Sequence, residues 1–475
     1  MVCGRYLTDA IDLTDCPKCK SRRIPCDRTL PNCRKCVSRN FECPGYGVHL
    51  RWGQGVASRG RLMGQAVPVP KDARSHQDSL CITLPSQEPM PLFDSFTSQL
   101  LRHFDQGVAT RLAWVDDTKN PWRNVILPLS HASPTVLHSV LALASNDLAY
   151  KYPTDHPWTH RLLAVSGDHR DTALSSLSSE LGHLLGASNP VSCAFQASCI
   201  LASAIILYNL ELLTAPAAQW RIHLQCAREI IQWKIHATHR SPSADIADTF
   251  LLYEYYYTSV FIGLMTFDLT DDIPSDVPTC NSLTIFSDFM RIMHTVTRAE
   301  RLKSANHLSP EIPRIEEILA ENEAAKCRMI QLGQTLVFKS PEARRDFEYL
   351  VYMYYHATLI YSHRVLSEAS PPEERIRSSR SAILDHLLHL SQSASVAHNL
   401  VWPLFIAGSE CRGIPHIQAI VERAMMNVMQ ISGNLDRHRV LSFLRMFWSM
   451  DLEPGTTWIQ YARAKSISFS FLIIV

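Results

Sequence analysis

The stretch "CPKCKSRRIPCDRTLPNCRKC", Cys16–Cys36, combines closely spaced cysteines with positive charge. The pattern Cys-x2-Cys-x6-Cys occurs twice, with six residues between the two copies, at Cys16, Cys19, Cys26, Cys33, Cys36 and Cys43. The copies "CPKCKSRRIPC" and "CRKCVSRNFEC" also share a lysine, a serine and an arginine at matching positions. This internal duplication predicts a metal core with pseudo-two-fold symmetry.

The number of cysteines fits two zinc ions. A Cys-x2-Cys pair brings two thiolates to one ion, and tetrahedral zinc takes four sulfur ligands at about 2.3 Å. Six cysteines can serve two such ions only if two thiolates bridge, and the symmetry of the halves makes Cys16 and Cys33 the expected bridges. Metal binding must supply the folding energy, because the segment has little apolar material. Its main apolar residues are Ile24, Leu30, Val37 and Phe41.

The segment carries more positive charge than its thiolates need. Nearby cations lower the pKa of thiolates and offset their charge. The eight Lys and Arg residues between the first and last cysteine are Lys18, Lys20, Arg22, Arg23, Arg28, Arg34, Lys35 and Arg39. A short helix that starts near Cys16 would present several of them to the DNA major groove. We therefore expect contact with nucleic acid; a purely structural or protein-docking cluster leaves the surplus cations unexplained.

The segment Cys16–Cys43 resembles the fungal binuclear zinc cluster, the Zn2Cys6 DNA-binding module of fungal transcription factors. Asp27 and Pro31 also match the pattern of that family. The resemblance implies that all six cysteines bind two zinc ions and that the module reads CGG-like triplets in double-stranded DNA, where arginine pairs with guanine O6 and N7.

The same resemblance assigns roles to single residues. Arg22 and Arg23 are expected to reach bases, and Lys20 to contact phosphate. Apart from the resemblance, Lys18 is a further candidate DNA contact. Pro25 departs from the family, which often has Lys or Arg there. Proline offers neither charge nor an N–H group, so the corresponding phosphate contact is in doubt.

The chain as a whole is not strongly basic. Its 475 residues carry a net charge of +1, so any DNA-binding surface must be local. Residues 1–15, which we expect to be disordered, show no secretory leader pattern, and the fourteen cysteines therefore favour metal over disulfides. The expected location is the nucleus.

Residues 44–91 are rich in Gly, Pro and Ser and are predicted to form a flexible, basic linker. Arg51, Arg59 and Arg61 lie within it and are candidate DNA contacts, either as an arm in the minor groove or as a solvated tether. No heptad pattern of apolar residues is sustained in this region, so a homodimer stays a possible but unassigned state.

From residue 92 to residue 465 the sequence predicts one large all-helical domain. Apolar residues recur at helical spacing, and signals of strands are absent. The clearest segments are 92–104, 217–236, 347–366 and 414–432. The stretches 193–210 and 250–267 are apolar enough to raise the question of a membrane, but each contains polar residues and we interpret both as buried core helices. The fold class is thus mostly α.

No motif in this domain indicates catalysis, and we predict that the protein is not an enzyme. Two histidine pairs, His236 with His239 and His386 with His389, lack a third ligand and are interpreted as surface or packed residues. The eight cysteines outside the cluster lack ligand spacing and are expected to be small core residues or bystanders.

Aromatic residues could line a pocket, but such residues at helical spacing more often form core. They are Tyr253, Tyr255, Tyr256, Tyr257 and the tyrosines from Tyr352 to Tyr361. Residues 466–475, "SISFSFLIIV", form an apolar tail that either docks into the core or results from a gene model that runs past a splice site.

The stretches "WRIHLQCAREII", "WPLFIAGSECR" and "VLSFLRMFW" are similar to the fungal-specific transcription factor domain, as is "CPGYGVHLRW" at the exit of the cluster. That resemblance implies a regulatory domain that acts through a coregulator, the transcription machinery or an unidentified small effector. The predicted function is a zinc-dependent, sequence-specific transcription factor for RNA polymerase II genes. The alternative is a zinc-stabilised interaction protein that does not read DNA sequence.

Overall fold

The structure is a computed structural model of the chain. It describes residues 18–19, 22–27, 29, 33–39, 41, 43, 95–185, 193–214, 220–238, 246–265, 284–305, 312–367, 372–391, 394–432, 438–453 and 455–464. The chain divides into two compact units, Met1–Met90 and Pro91–Val475. The predicted N-terminal segment, the linker and the apolar tail lie outside the described residues.

The first unit contains one short helix, α1 (Arg34–Val37), and a helical turn at Lys18 and Cys19. The helices of the second unit are α2 (Ser95–His103), α3 (Ala109–Leu112), α4 (Leu127–Ala132), α5 (Pro134–Ala149), α6 (Pro157–Leu185), α7 (Ala194–Thr214), α8 (Trp220–Thr238), α9 (Ile246–Met265), α10 (Ser287–Ser304), α11 (Ile315–Thr335), α12 (Pro341–Leu366), α13 (Glu373–Leu388), α14 (Ala394–Ala397), α15 (Val401–Ser409), α16 (Pro415–Ser432), α17 (His438–Ser449) and α18 (Trp458–Ala464). The described residues contain no strand, and the predicted mostly helical fold is confirmed.

Local sequence signals explain several helix starts. Proline is favoured at the first helical position, and a serine before it can accept a hydrogen bond from a backbone N–H of the first turn. Ser133 accepts from Val136 N at the start of α5, and Ser340 accepts from Ala343 N at the start of α12. Two five-residue π-helical turns, Phe104–Val108 and Trp122–Ile126, connect the short helices near the beginning of this unit.

The helical unit has two main hydrophobic cores. The first lies among the helices from α2 to α9, where α5 packs against α6 and α7. The second lies among the helices from α9 to α18, where α12 packs against α10, α11, α13 and α15. Helix α9 belongs to both, because Phe250 and Tyr255 face the first core while Tyr256 and Phe261 face the second.

The apolar stretches that raised the membrane question are core helices. Among the described helices one segment, Ala194–Glu211, is long and apolar enough to span a bilayer, and 78% of it is buried inside the helical unit. The described part of the other stretch belongs to α9, where Leu251, Tyr253 and Val260 are almost completely buried.

Candidate metal centre and nucleic-acid interface

Five of the six predicted zinc ligands are described, and they form two groups that share one residue. The Sγ atoms of Cys19, Cys26 and Cys33 lie within 4.8 Å of one another, as do those of Cys33, Cys36 and Cys43. Cys33 is therefore common to both groups, the arrangement expected of a bridging thiolate. Cys16, the other predicted bridge, lies outside the described residues.

The distances between sulfur atoms suit zinc. Four thiolates at about 2.3 Å from one tetrahedral ion lie about 3.8 Å apart. Cys19 Sγ is 3.6 Å from Cys33 Sγ, a pair within one sulfur group, and 3.9 Å from Cys36 Sγ, which belongs to the other group. Cys19, Cys33 and Cys36 are also fully buried. The donor set fits zinc ions, and we find no other group of this kind among the described residues.

Backbone N–H groups support the sulfur atoms. Cys36 N donates to Cys33 Sγ at 3.3 Å, and Cys33 N donates to Cys43 Sγ at 3.4 Å. The first of these bonds also caps the N-terminus of α1. Hydrogen bonds to a thiolate favour its charged form, so these donors prepare the sulfur atoms for metal binding.

Two further contacts join the halves of the duplication. Asp27 Oδ2 accepts a hydrogen bond from Arg34 N at 3.0 Å, and Lys35 Nζ donates to Pro25 O at 2.8 Å. Pro25 has no side-chain charge for DNA, but its carbonyl group holds a cation from the other half. Lys35 is thereby used within the module and is less available for a phosphate.

The predicted DNA contacts differ in how they are held. Lys18 and Arg23 are exposed, whereas Arg22 is part-buried. Arg23 has a φ of 53°, a left-handed conformation that non-glycine residues adopt at a cost of about 1–2 kcal/mol. Arg23 lies in a backbone turn, and the residue is exposed. The other predicted contacts, Lys20, Arg51, Arg59 and Arg61, lie outside the described residues.

Sequence reasoning missed the role of Phe41, which we had counted with the apolar residues of the module. Its side chain is 40% exposed, and Val37 is 56% exposed, whereas Ile24 packs against the cysteines. The Phe41 ring contacts two cations instead: its centroid is 4.5 Å from Arg22 Cζ and 5.3 Å from Lys18 Nζ. An aromatic residue two positions before the last cysteine of a basic cluster is a signal that could have indicated such a contact.

In the helical unit, the described histidine pair belongs to an aromatic surface. His386 stacks on Tyr352 with ring centroids 5.2 Å apart, and His389 lies 5.9 Å from Tyr349. Burial lowers the pKa of His386, which favours its neutral form. His386 is part-buried against the tyrosine rings, whereas His389 is exposed. His239 and the side chain of His236 lie outside what the structure describes.

The tyrosine-rich segment of α9 forms core rather than one large pocket. Tyr253, Tyr255, Tyr256 and Tyr257 are each at least 95% buried, and Tyr257 Oη donates to Ile285 O at 2.7 Å. The other cysteines are mixed: Cys199 and Cys411 are buried, whereas Cys327 is exposed.

A small cavity lined by apolar and polar side chains borders the tyrosine-rich helix α9. It has a volume of about 20 Å³, about the space of one water molecule. Its lining residues are Leu112, Trp114, Trp122, Asn209, Glu254, Tyr257, Thr258 and Phe261. Burial raises the pKa of Glu254 to about 8. The sequence showed this residue only as a polar interruption of an apolar helix.

Comparison with protein families gives two matches. Residues 99–472 match the fungal specific transcription factor domain, and residues 14–53 match the fungal Zn(2)-Cys(6) binuclear cluster domain. The first match covers most of the chain, and the second covers the whole cysteine-rich segment. Both families are transcription factor domains rather than enzymes. Comparisons with curated proteins and with solved structures find no match.

Proposed function

The chain belongs to the fungal specific transcription factor family and carries that family's Zn(2)-Cys(6) cluster, and from this premise we propose that it reads DNA sequence through the cluster. The observation that carries the proposal is the arrangement of cations on the metal-binding module. Lys18, Arg22 and Arg23 lie in or just after the turn that holds Cys19, and two of the three are exposed. A basic surface on a metal-stabilised turn is suited to the major groove.

In this proposal two zinc ions are held by Cys16, Cys19, Cys26, Cys33, Cys36 and Cys43. Bound zinc cross-links the two halves and supplies most of the folding energy of the module. The contacts with DNA bases and phosphates are then made by side chains of the module.

Arg22 and Arg23 donate hydrogen bonds to guanine O6 and N7 in a CGG-like triplet. Lys18 and Lys20 contact phosphates, which adds affinity that falls with salt. Arg51, Arg59 and Arg61 extend the same electrostatic attraction beyond the module.

The helical unit is proposed to regulate this activity in the nucleus, by passing a signal to the machinery that transcribes RNA polymerase II genes or to a coregulator. Its family match supports a regulatory role. A homodimer would show itself in the DNA site, because two modules in a dimer require paired triplets at a fixed spacing.

The test is a selection from randomised duplexes with the full-length, zinc-loaded chain at physiological salt, repeated after chelation. We expect enrichment of a CGG-like triplet that disappears when zinc is removed. Zinc binding without enrichment of any sequence would instead indicate a protein-docking module, and the proposal of DNA reading would fail.

The Arg23→Ala variant tests the assignment of the reading residue. Loss of a base contact should relax the preference at one base pair and cost about 1–3 kcal/mol of specific binding. Arg39→Ala is a matched control, because Arg39 is an exposed arginine at the position of the second half that corresponds to Arg22. It should weaken binding to all duplexes alike. Equal losses on preferred and random duplexes for Arg23→Ala would contradict the assignment.

A further inference from the structure

One aromatic ring contacts both Arg22 and Lys18. The Phe41 centroid lies 4.5 Å from Arg22 Cζ and 5.3 Å from Lys18 Nζ, both within the range of attraction between a cation and an aromatic ring. Phe41 is not part of the packed group formed by the cysteines and Ile24. The ring therefore contributes little to the metal core and is available to hold the two cations.

Both sides of this contact are tied to metal-binding cysteines through the backbone. Phe41 N donates to Cys36 O at 3.0 Å, and Arg22 N donates to Cys19 O at 3.1 Å. These are the second cysteines of the two Cys-x2-Cys pairs. When metal fixes the cysteines, it also fixes the ring and the start of the arginine side chain relative to each other.

A guanidinium group is planar, so its face and its edges can serve different partners. The face can stack on an aromatic ring while an edge donates two parallel hydrogen bonds to a guanine. In Arg22, Nη1 is buried without a hydrogen-bond partner, and it is the only Arg22 nitrogen in that state. A guanidinium can donate two parallel bonds from its Nη1–Nη2 edge or from its Nε–Nη2 edge, and only the second edge leaves out the buried Nη1.

We propose that Phe41 is a positioning residue for DNA recognition, which holds the Arg22 guanidinium by its face and directs its Nε–Nη2 edge toward the base. The inference rests on the proposed function and adds a residue that does not itself touch DNA. Arg22 and Arg23 then act differently: Arg22 is ordered before binding by the ring, whereas Arg23 is exposed and directed by its backbone turn.

The expected effect follows from the cost of ordering a flexible side chain. In Phe41→Ala, the Arg22 side chain is no longer held before binding, so DNA binding must pay the entropy cost of ordering it. The attraction between the guanidinium group and the aromatic ring is also lost. Phe41→Ala should therefore weaken binding to the preferred duplex by roughly three- to tenfold. Binding to a scrambled duplex should fall less, because phosphate contacts do not need a fixed guanidinium plane.

The experiment uses the full-length, zinc-loaded chain and a double-mutant cycle of wild type, Phe41→Ala, Arg22→Ala and the double variant. Affinity is measured on the selected duplex and on a scrambled duplex of the same length at one salt concentration. Phe41→Trp tests rescue, because it keeps a large aromatic face, and Phe41→Leu keeps only apolar bulk. Val37→Ala is the matched control, since Val37 is a more exposed apolar residue of the same module. Zinc content is measured for every variant.

Support requires that Phe41→Ala retain two zinc ions, lose discrimination between the duplexes, and have little further effect once Arg22 is absent. Phe41→Trp should restore discrimination, whereas Phe41→Leu should not, and Val37→Ala should behave as wild type. An equal loss on both duplexes, or the same loss with and without Arg22, would overturn the positioning role while the proposed function stands. A wild-type chain that prefers no duplex would overturn both.

Discussion

Replacing Glu254 with glutamine is expected to remove a large part of the pH dependence of the stability of the helical unit. The pKa of Glu254 is raised from 4.5 to about 8 because its carboxyl group is buried. Between these values the folded protein keeps a proton that the unfolded chain releases. The contribution of Glu254 to stability is therefore greatest below pH 4.5 and falls as the pH rises toward 8.

The size of the effect follows from linkage. One group that is protonated only in the folded state changes the free energy of unfolding by about 1.4 kcal/mol per pH unit, or about 3–5 kcal/mol over the whole interval. The unit Pro91–Val475 has an unfolding entropy of about 0.8 kcal/mol/K, so each pH unit should lower Tm by about 1–2 °C.

The assay is thermal unfolding of the full-length chain, followed by far-UV circular dichroism from pH 5 to pH 9. The difference in Tm between Glu254→Gln and wild type should grow in favour of the variant until about pH 8 and then level off. Glu321→Gln is the control, because Glu321 is an exposed glutamate on α11. Wild-type and Glu254→Gln curves that stay parallel over this range would refute the reasoning.

Two further predictions test the metal centre and the packing. Cys33 belongs to both sulfur groups, so Cys33→Ser should release both zinc ions. Cys43 belongs to one group, so Cys43→Ser should release one ion first. Native mass spectrometry of the zinc-loaded chain measures the number of bound ions, and equal losses in the two variants would contradict the prediction. A Cβ atom at Gly333 would lie 2.7 Å from Phe347 Cε1, so Gly333→Ala should destabilise the helical unit by about 1–3 kcal/mol in urea unfolding. Gly182→Ala has open space and should instead stabilise it by about 0.5–1 kcal/mol, and equal effects at the two sites would contradict the packing argument.

The sequence predicted those features that depend on spacing along the chain. The six-cysteine pattern predicted that Cys33 bridges two ions; the structure places Cys33 in both sulfur groups, and its bridging role stays a prediction. Helical periodicity predicted the segments that became α2, α8, α12 and α16. In both cases the relevant residues lie within one or two turns of each other, or repeat a short motif, so a local pattern carries the information.

Contacts between distant residues were not predictable in the same way. Phe41 lies nineteen residues after Arg22, and only the folded halves bring ring and guanidinium together. The contact between Lys35 and Pro25 has the same origin, since it crosses between the halves. The sequence shows only that Pro25 has no charged side chain for a phosphate contact. The bond from Lys35 uses the backbone carbonyl group of Pro25, which every residue has, so the identity of residue 25 gives no sign of it.

Glu254 shows why a polar residue in an apolar helix needs its three-dimensional surroundings before it can be interpreted. In the sequence it served as an argument against a membrane span. In the structure, Glu254, Tyr257, Thr258 and Phe261 share one face of α9, and that face lines the cavity. The other walls come from residues of both hydrophobic cores. Ionisation of Glu254 would place a charge where the two cores adjoin, so its effect should appear in the unfolding of the whole helical unit rather than in the fraying of one end.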